Sequence, residues 1–159
     1  MSQTVQLPNV CEFMTHHLVD VFDTMLAMPA ALAPNAAPPH FEERVTGSIG
    51  FAGDTVTGAV YLHLSATFAH RVAAAMLGLP PTEAIPESDV NDVVGEAANM
   101  LTGGLKSWLC DHEANCAVST PAIIRGDFNV EVMPDVAREC LVFESGGEHL
   151  IVEIHIKLN

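Results

Sequence analysis

From Val152 to Leu158 apolar and polar residues alternate without a break. Leu150, Val152, Ile154, Ile156 and Leu158 fall on one face, with Glu153, His155 and Lys157 on the other. A slip of one residue would turn the apolar set outward, so the segment commits the chain to a sheet with one core face and one wet face. Val45, Ile49 and Phe51 follow the same period, as do Val60, Leu62 and Leu64 against Tyr61 and His63. With Gly53-Asp54 between them these two runs read as a hairpin. Cys140 to Phe143 is a further strand, and Gly146-Gly147 is the turn that leads from it into the last one. Val118 to Ile124, interrupted by Pro121, reads as an irregular or edge strand, and Gly126 turns the chain into another run from Phe128 to Met133.

Helical periods separate these strands. Asn9 as N-cap and Glu12 three residues on introduce Phe13, Leu18, Val21, Phe22 and Met25 at helical spacing, in a helix ending near Met28 before Pro29. Met14, Phe22 and Met25 there are packing residues. Ser65 caps a shorter helix through Ala66 to Leu77, closed by Gly78 and Pro80. After the connector from Pro80 to Pro86, a second long helix begins at Ser88 and runs to about His112, with Asp89 and Asp92 near the favourable end of its dipole. A long helix followed by strands thus occurs twice, which suggests two related halves. The pattern predicts an α+β domain over residues 1–159, with two long helices and a shorter one packed on a mainly antiparallel sheet. Residues 29–40, rich in Ala and Pro, are expected to form an exposed, mobile loop.

Composition narrows the function classes. A chain of 159 residues that is 49% hydrophobic buries a real core, and a net charge of −14 repels nucleic acid and anionic lipid over most faces. Met1-Ser2-Gln3-Thr4 has no basic leader, and Pro29 and Pro34 interrupt the early apolar stretch before it spans a bilayer. Cys11, Cys110, Cys116 and Cys140 sit in helices and strands, as reduced thiols do. A cytoplasmic protein follows.

The second long helix carries the chemistry. On a helical wheel Val90, Val94, Ala97, Leu101, Leu105 and Trp108 form the core stripe, while Asp89, Asp92, Glu96, Asn99 and Gly103 lie opposite. Glu96 and Asn99, three apart, are neighbours on that exposed face and reach into one partner site. Glycine inside a helix costs about 1 kcal/mol against alanine, so Gly95, Gly103 and Gly104 call for a reason. A close approach of another backbone at Gly103 is the expected one.

The string Val93-Val94-Gly95-Glu96-Ala97-Ala98-Asn99-Met100-Leu101-Thr102-Gly103 resembles the signature helix of the CheC/CheX family of chemotaxis phosphatases. Ser119-Thr120-Pro121-Ala122-Ile123-Ile124-Arg125-Gly126 is similar to the stretch that follows that helix in the family. The resemblance implies hydrolysis of the aspartyl phosphate on a CheY-like response regulator, with Glu96 and Asn99 at the catalytic positions. Asn99 would orient the attacking water, since a neutral amide does so without repelling the phosphoryl group. Glu96 would pair with a lysine of the receiver and fix the docked orientation, and Asp92 and Gly103 would contact the partner beside it. The Mg2+ that balances phosphoryl charge would belong to the receiver, so no cofactor or metal ligand of this chain is implied. Glu12-Phe13-Met14-Thr15 lacks the Asn of a second site, which implies the single-site, CheX-like arrangement and, by the same likeness, a homodimer.

Other candidates carry less. Cys110, His112 and Cys116 do not match a known zinc spacing and lack a fourth ligand. Thiols buried near Trp108 with an exposed histidine are expected instead. His16 and His17 diverge by about 100° on a helix and cannot share one ion. His63 and His155 occupy outward strand positions, as hydrogen-bonded or solvated side chains do. Two rival readings stay open: a non-catalytic module of the same fold that docks on a receiver or another signalling protein, and a metal sensor built on Cys110 to Cys116.

Overall fold

The computed structural model describes residues 5–159; Met1-Ser2-Gln3-Thr4, read above as lacking a basic leader, lie outside the described residues. In chain order the elements are α1 (Leu7–Leu26), β1 (Ala31–Leu32), β2 (Arg44–Ala52), β3 (Val56–Ser65), α2 (Ala66–Leu77), α3 (Glu87–Asp111), β4 (Ala117–Val118), β5 (Ala122–Arg125), β6 (Ala137–Ser145) and β7 (Glu148–Leu158). All strand pairings are antiparallel, in the order β1-β6-β7-β3-β2-β4, with β5 also on β2. The three helices cover one face of this sheet. The expected α+β architecture, two long helices and a shorter one on an antiparallel sheet, is therefore the one observed.

Register explains where the core lies. Gly47 opposes Leu62, Leu62 opposes Val152, and Val152 opposes Leu141, so one row of alternate residues crosses four strands on the helix side. Phe22 of α1, Phe68 of α2, Leu101 and Leu105 of α3, and Phe143 and Leu150 of the sheet are all essentially inaccessible to solvent in the same cluster. Burying such side chains supplies roughly 1.5–3 kcal/mol each.

Several local expectations are corrected. Asn9 is not the cap of α1. Gln6 is, with no side-chain bond, and Pro8 occupies the first turn, where its missing N–H costs nothing. The helix also stops at Leu26, because Ala27 adopts the left-handed conformation and the Met28 N–H bonds back to the Phe22 carbonyl at 2.9 Å. The Ser65 cap of α2 is present, its Oγ accepting from the Phe68 N–H at 3.0 Å. The loop at 29–40 is not wholly free. Ala31 and Leu32 add to β6 opposite Glu144 and Phe143, and Ser145 Oγ donates to the Pro29 carbonyl at 2.7 Å. The two-residue pairing covers the end of the outer edge of β6 at Phe143 and Glu144.

Phe128 to Met133 is not a strand. β5 and β4 already occupy the free edge of β2, and Gly126, at φ 118°, turns the chain away from it. The segment passes instead over the face of the sheet opposite the helices, where Phe128 lies 6.2 Å from the His63 ring and 4.2 Å from the Arg44 guanidinium. That face is accordingly not wet. His63, Glu153 and His155 are buried on it.

Candidate functional site

The site begins with the seating of α3 on β2. A Cβ at Gly47 would stand 3.0 Å from Ala98 Cβ and 3.3 Å from the Val94 carbonyl oxygen, so the helix lies against the bare backbone of the strand. Val94 and Ala98 are wholly buried in that contact. At the helix start Glu87 and Asp89 sit in the first turn, where the dipole favours negative charge. The Arg125 guanidinium of β5 ties down the same end, donating through Nε to Asn91 Oδ1 at 2.7 Å with Glu87 at 3.5 Å.

With the inner face of α3 fixed, the outer face is decided. Asp92, Glu96 and Asn99 are exposed, and Gly103 is half-buried one turn beyond Asn99. Neither Glu96 nor Asn99 makes a hydrogen bond or ion pair with any described residue. The four residues singled out from the sequence thus share one helical face. Met76 and Leu77 at the end of α2 meet Asp89, Asp92, Val93 and Glu96 in a shallow cleft of about 370 Å3. Leu77 is exposed there, an apolar rim beside three carboxylates that the separate helical periods did not bring together. Asn91 as the anchor of Arg125 was likewise invisible in sequence, because nothing local links residues 34 positions apart.

The glycine expectation is corrected. Beyond its chain neighbours and the helix's own backbone, no described atom lies within 4 Å of a Cβ built at Gly103; the crowded position is Gly104, where a Cβ would collide with the His17 imidazole. His17 Nε2–H donates to the Met100 carbonyl at 3.0 Å, which holds the ring of α1 flat against α3 at that residue. Gly104 is the close approach between helices, and Gly103 faces open space.

On α1, the position matching Asn99 is Thr15, and its hydroxyl donates to the Cys11 carbonyl at 2.8 Å. Glu12 is exposed without an amide beside it. The expectation at the end of α3 is reversed: Cys110 is exposed, while His112 is half-buried, its Nδ1–H donating to the Trp108 carbonyl at 2.7 Å and its ring stacked at 4.0 Å on the indole. A histidine four residues after a tryptophan covers it, which leaves the thiol outside. Burial pushes the Cys116 thiol pKa up. Among the described residues no group of three or more His, Cys, Asp or Glu side chains is placed to hold a metal ion, and no helix is long and apolar enough to cross a membrane.

Comparison with known proteins agrees with this fold. The chemotaxis protein CheX of Vibrio vulnificus superposes with a TM-score of 0.76 at 24% identity, over 93% of this chain and 96% of that one. A CheC-like superfamily protein from Shewanella sp. PV-4 does so with a TM-score of 0.76 at 27% identity, over 96% and 99%. The CheX of a CheX-CheY-BeF3-Mg2+ complex from Borrelia burgdorferi shares the fold with a TM-score of 0.63 at 18% identity, over 93% and 97%. A search of curated proteins gives no significant sequence match. The family model for the chemotaxis phosphatase CheX matches residues 45–144, a span from β2 to β6 that includes all of α3, and the chain belongs to that family.

Proposed function

We propose that this chain hydrolyses the aspartyl phosphate of a CheY-like response regulator, with Asn99 and Glu96 as its working pair. The observation that carries the reading is their placement: adjacent, exposed and unpartnered on a helix whose inner face is clamped to the sheet. Membership of a chemotaxis phosphatase family supports it, as does the complex with CheY formed by the Borrelia burgdorferi relative.

The reaction needs little covalent help from the enzyme. A water oxygen attacks phosphorus in line, the bond from phosphorus to the aspartyl oxygen breaks, and the carboxylate leaves as inorganic phosphate forms. Asn99 would hold that water by its amide, which orients without adding negative charge beside the phosphoryl oxygens. Glu96 would form an ion pair with the receiver lysine and so deliver Asn99 to the phosphorus. Asp92 and Gly103 would border the docked receiver, Gly103 by leaving room where a side chain would stand. The Mg2+ belongs to the receiver, where it offsets phosphoryl charge. By the same family likeness the working form is a cytoplasmic homodimer with one site per chain.

The test is the decay of phosphoaspartate on a receiver from the same organism, with and without this protein. Acceleration lost in both Asn99→Ala and Glu96→Ala, each still folded, supports the enzyme. Tight binding without any change in phosphate lifetime leaves the non-catalytic docking module.

A further inference from the structure

The face of the sheet away from the helices holds a second, separately built site. At its centre is Glu153, whose side chain is only 5% exposed. His63 Nε2 donates to its Oε1 at 3.0 Å, while His155 Nε2 at 2.6 Å and Arg138 Nε at 2.9 Å both donate to Oε2. Thr46 Oγ1 closes the chain on His63 Nδ1 at 2.8 Å. Burial alone would push the Glu153 pKa up, but the hydrogen bonds from His63, Arg138 and His155 outweigh it and hold the group down to about 2. A permanently ionised carboxylate therefore fixes the Arg138 guanidinium in one orientation.

Arg44 stands beside this network and is differently placed. It precedes Thr46 by two residues and so shares its face of β2. Its guanidinium lies over the Phe128 ring, its Nε is buried without a hydrogen-bond partner, and no carboxylate among the described residues pairs with it. In a chain with twenty acidic residues and six Lys plus Arg, an arginine kept from every carboxylate is unusual. Arg44 and Arg138 both line a half-open cavity of about 390 Å3, flanked by the segments around Pro39 and Val130. Val132 and Ile151 supply an apolar wall. At its mouth His40 and Asp127, both largely exposed, face one another at 3.6 Å.

We propose that this cavity binds a small monocarboxylate, its carboxylate accepting from the Arg44 guanidinium beside Arg138 and its short apolar body lying against Val132 and Ile151. Charge selects the class. Two guanidiniums against the single carboxylate of Glu153 leave one positive charge to satisfy, which suits a monoanion and not a polyphosphate in so acidic a protein. Volume agrees, since the cavity falls at the small end of ligand pockets. The site lies on the opposite face of the sheet from Glu96 and Asn99 and does not depend on what they do.

The experiment is a two-dimensional NMR titration of the full 15N-labelled chain with acetate, butyrate and benzoate, beside butyramide as the neutral isostere of butyrate and inorganic phosphate as a second anion. Expected are saturable shifts of the Arg44 Nε–H and of the amides of Cys140 and Val132 with at least one carboxylate, none with butyramide, and no shift at Asn99. Arg44→Met should weaken that binding by about tenfold or more, and Arg44→Lys by less. If Arg44→Met does not fold, Arg138→Gln and the wild-type titration still decide. The proposal is overturned if no carboxylate gives a saturable shift, if butyramide acts equally, or if phosphate alone binds. It is also overturned if the same signals move with protein concentration in the absence of ligand, since a second copy of the chain then fills the cavity.

Discussion

The two faces of the sheet handle polar residues in opposite ways. On the helix side Glu96 and Asn99 project from α3 into solvent without a hydrogen bond or ion pair to any described residue. On the other side Glu153 accepts from three side chains in a buried setting. An exposed polar group without partners contributes almost nothing to folding and is free to act on another molecule. A buried carboxylate with both oxygens engaged belongs to the architecture, because removing it strands its donors. On the proposed function, activity and stability fall on different faces, and each face offers a way to break that division.

The largest effect should come from Asn99→Ala, on activity alone. If the amide positions the attacking water, its loss should slow regulator dephosphorylation by about a hundredfold or more, while stability stays within about 0.5 kcal/mol of the parent. Phosphoaspartate decay and urea unfolding, run on the same preparation, would measure both. A variant that unfolds as it loses activity would break the division of labour.

Glu153→Gln should behave in reverse. An amide offers one acceptor where the carboxylate offered two, and two imidazoles and a guanidinium are left competing for it. A loss of about 2–4 kcal/mol in unfolding free energy is expected, with the phosphatase rate per folded molecule unchanged. The acid limb of stability sharpens the same point. Glu153 has a folded pKa of about 2 against an ordinary value of 4.5, so its contribution is fully present above the ordinary value and is lost as pH falls toward the folded one. On that basis roughly 3 kcal/mol should disappear over this window, and Glu153→Gln should flatten the slope of stability against pH there.

How far these faces could be read from sequence differs for physical reasons. Strict alternation in β7 and the apolar stripe of α3 are local signals, so the sheet, the helices and the outward direction of Glu96 and Asn99 were all legible. His63 and His155 are hydrogen-bonded, one of the two states expected of them, but their face of the sheet was read as wet because alternation says which face a residue takes and not what covers that face. The cover comes from Phe128 and its neighbours, an irregular segment with no period of its own. Asn9 offered the better cap chemistry, yet the helix already begins at Leu7, with Pro8 in a first turn where its missing N–H loses no intrahelical bond. The resemblance that led to the family lay within one unbroken helix and could be read locally, whereas the cleft with Met76 and Leu77 joins two helices.

The smallest effects concern two adjacent glycines, and they separate what a wheel conveys from what contact conveys. Gly104→Ala should cost about 1–3 kcal/mol, since the new methyl meets the His17 ring and must displace its bond to the Met100 carbonyl. Gly103→Ala should instead gain about 0.5–1 kcal/mol, because no described atom stands in its way and alanine is the better helix former. Thermal or urea unfolding of the pair gives the sign of each. If Gly103 borders a docked receiver, the stabilised Gly103→Ala protein should still bind its regulator more weakly than the parent does. Stabilisation together with unchanged regulator affinity would show that the open space at Gly103 is not part of the docking face, and would confine that face to Asp92, Glu96 and Asn99.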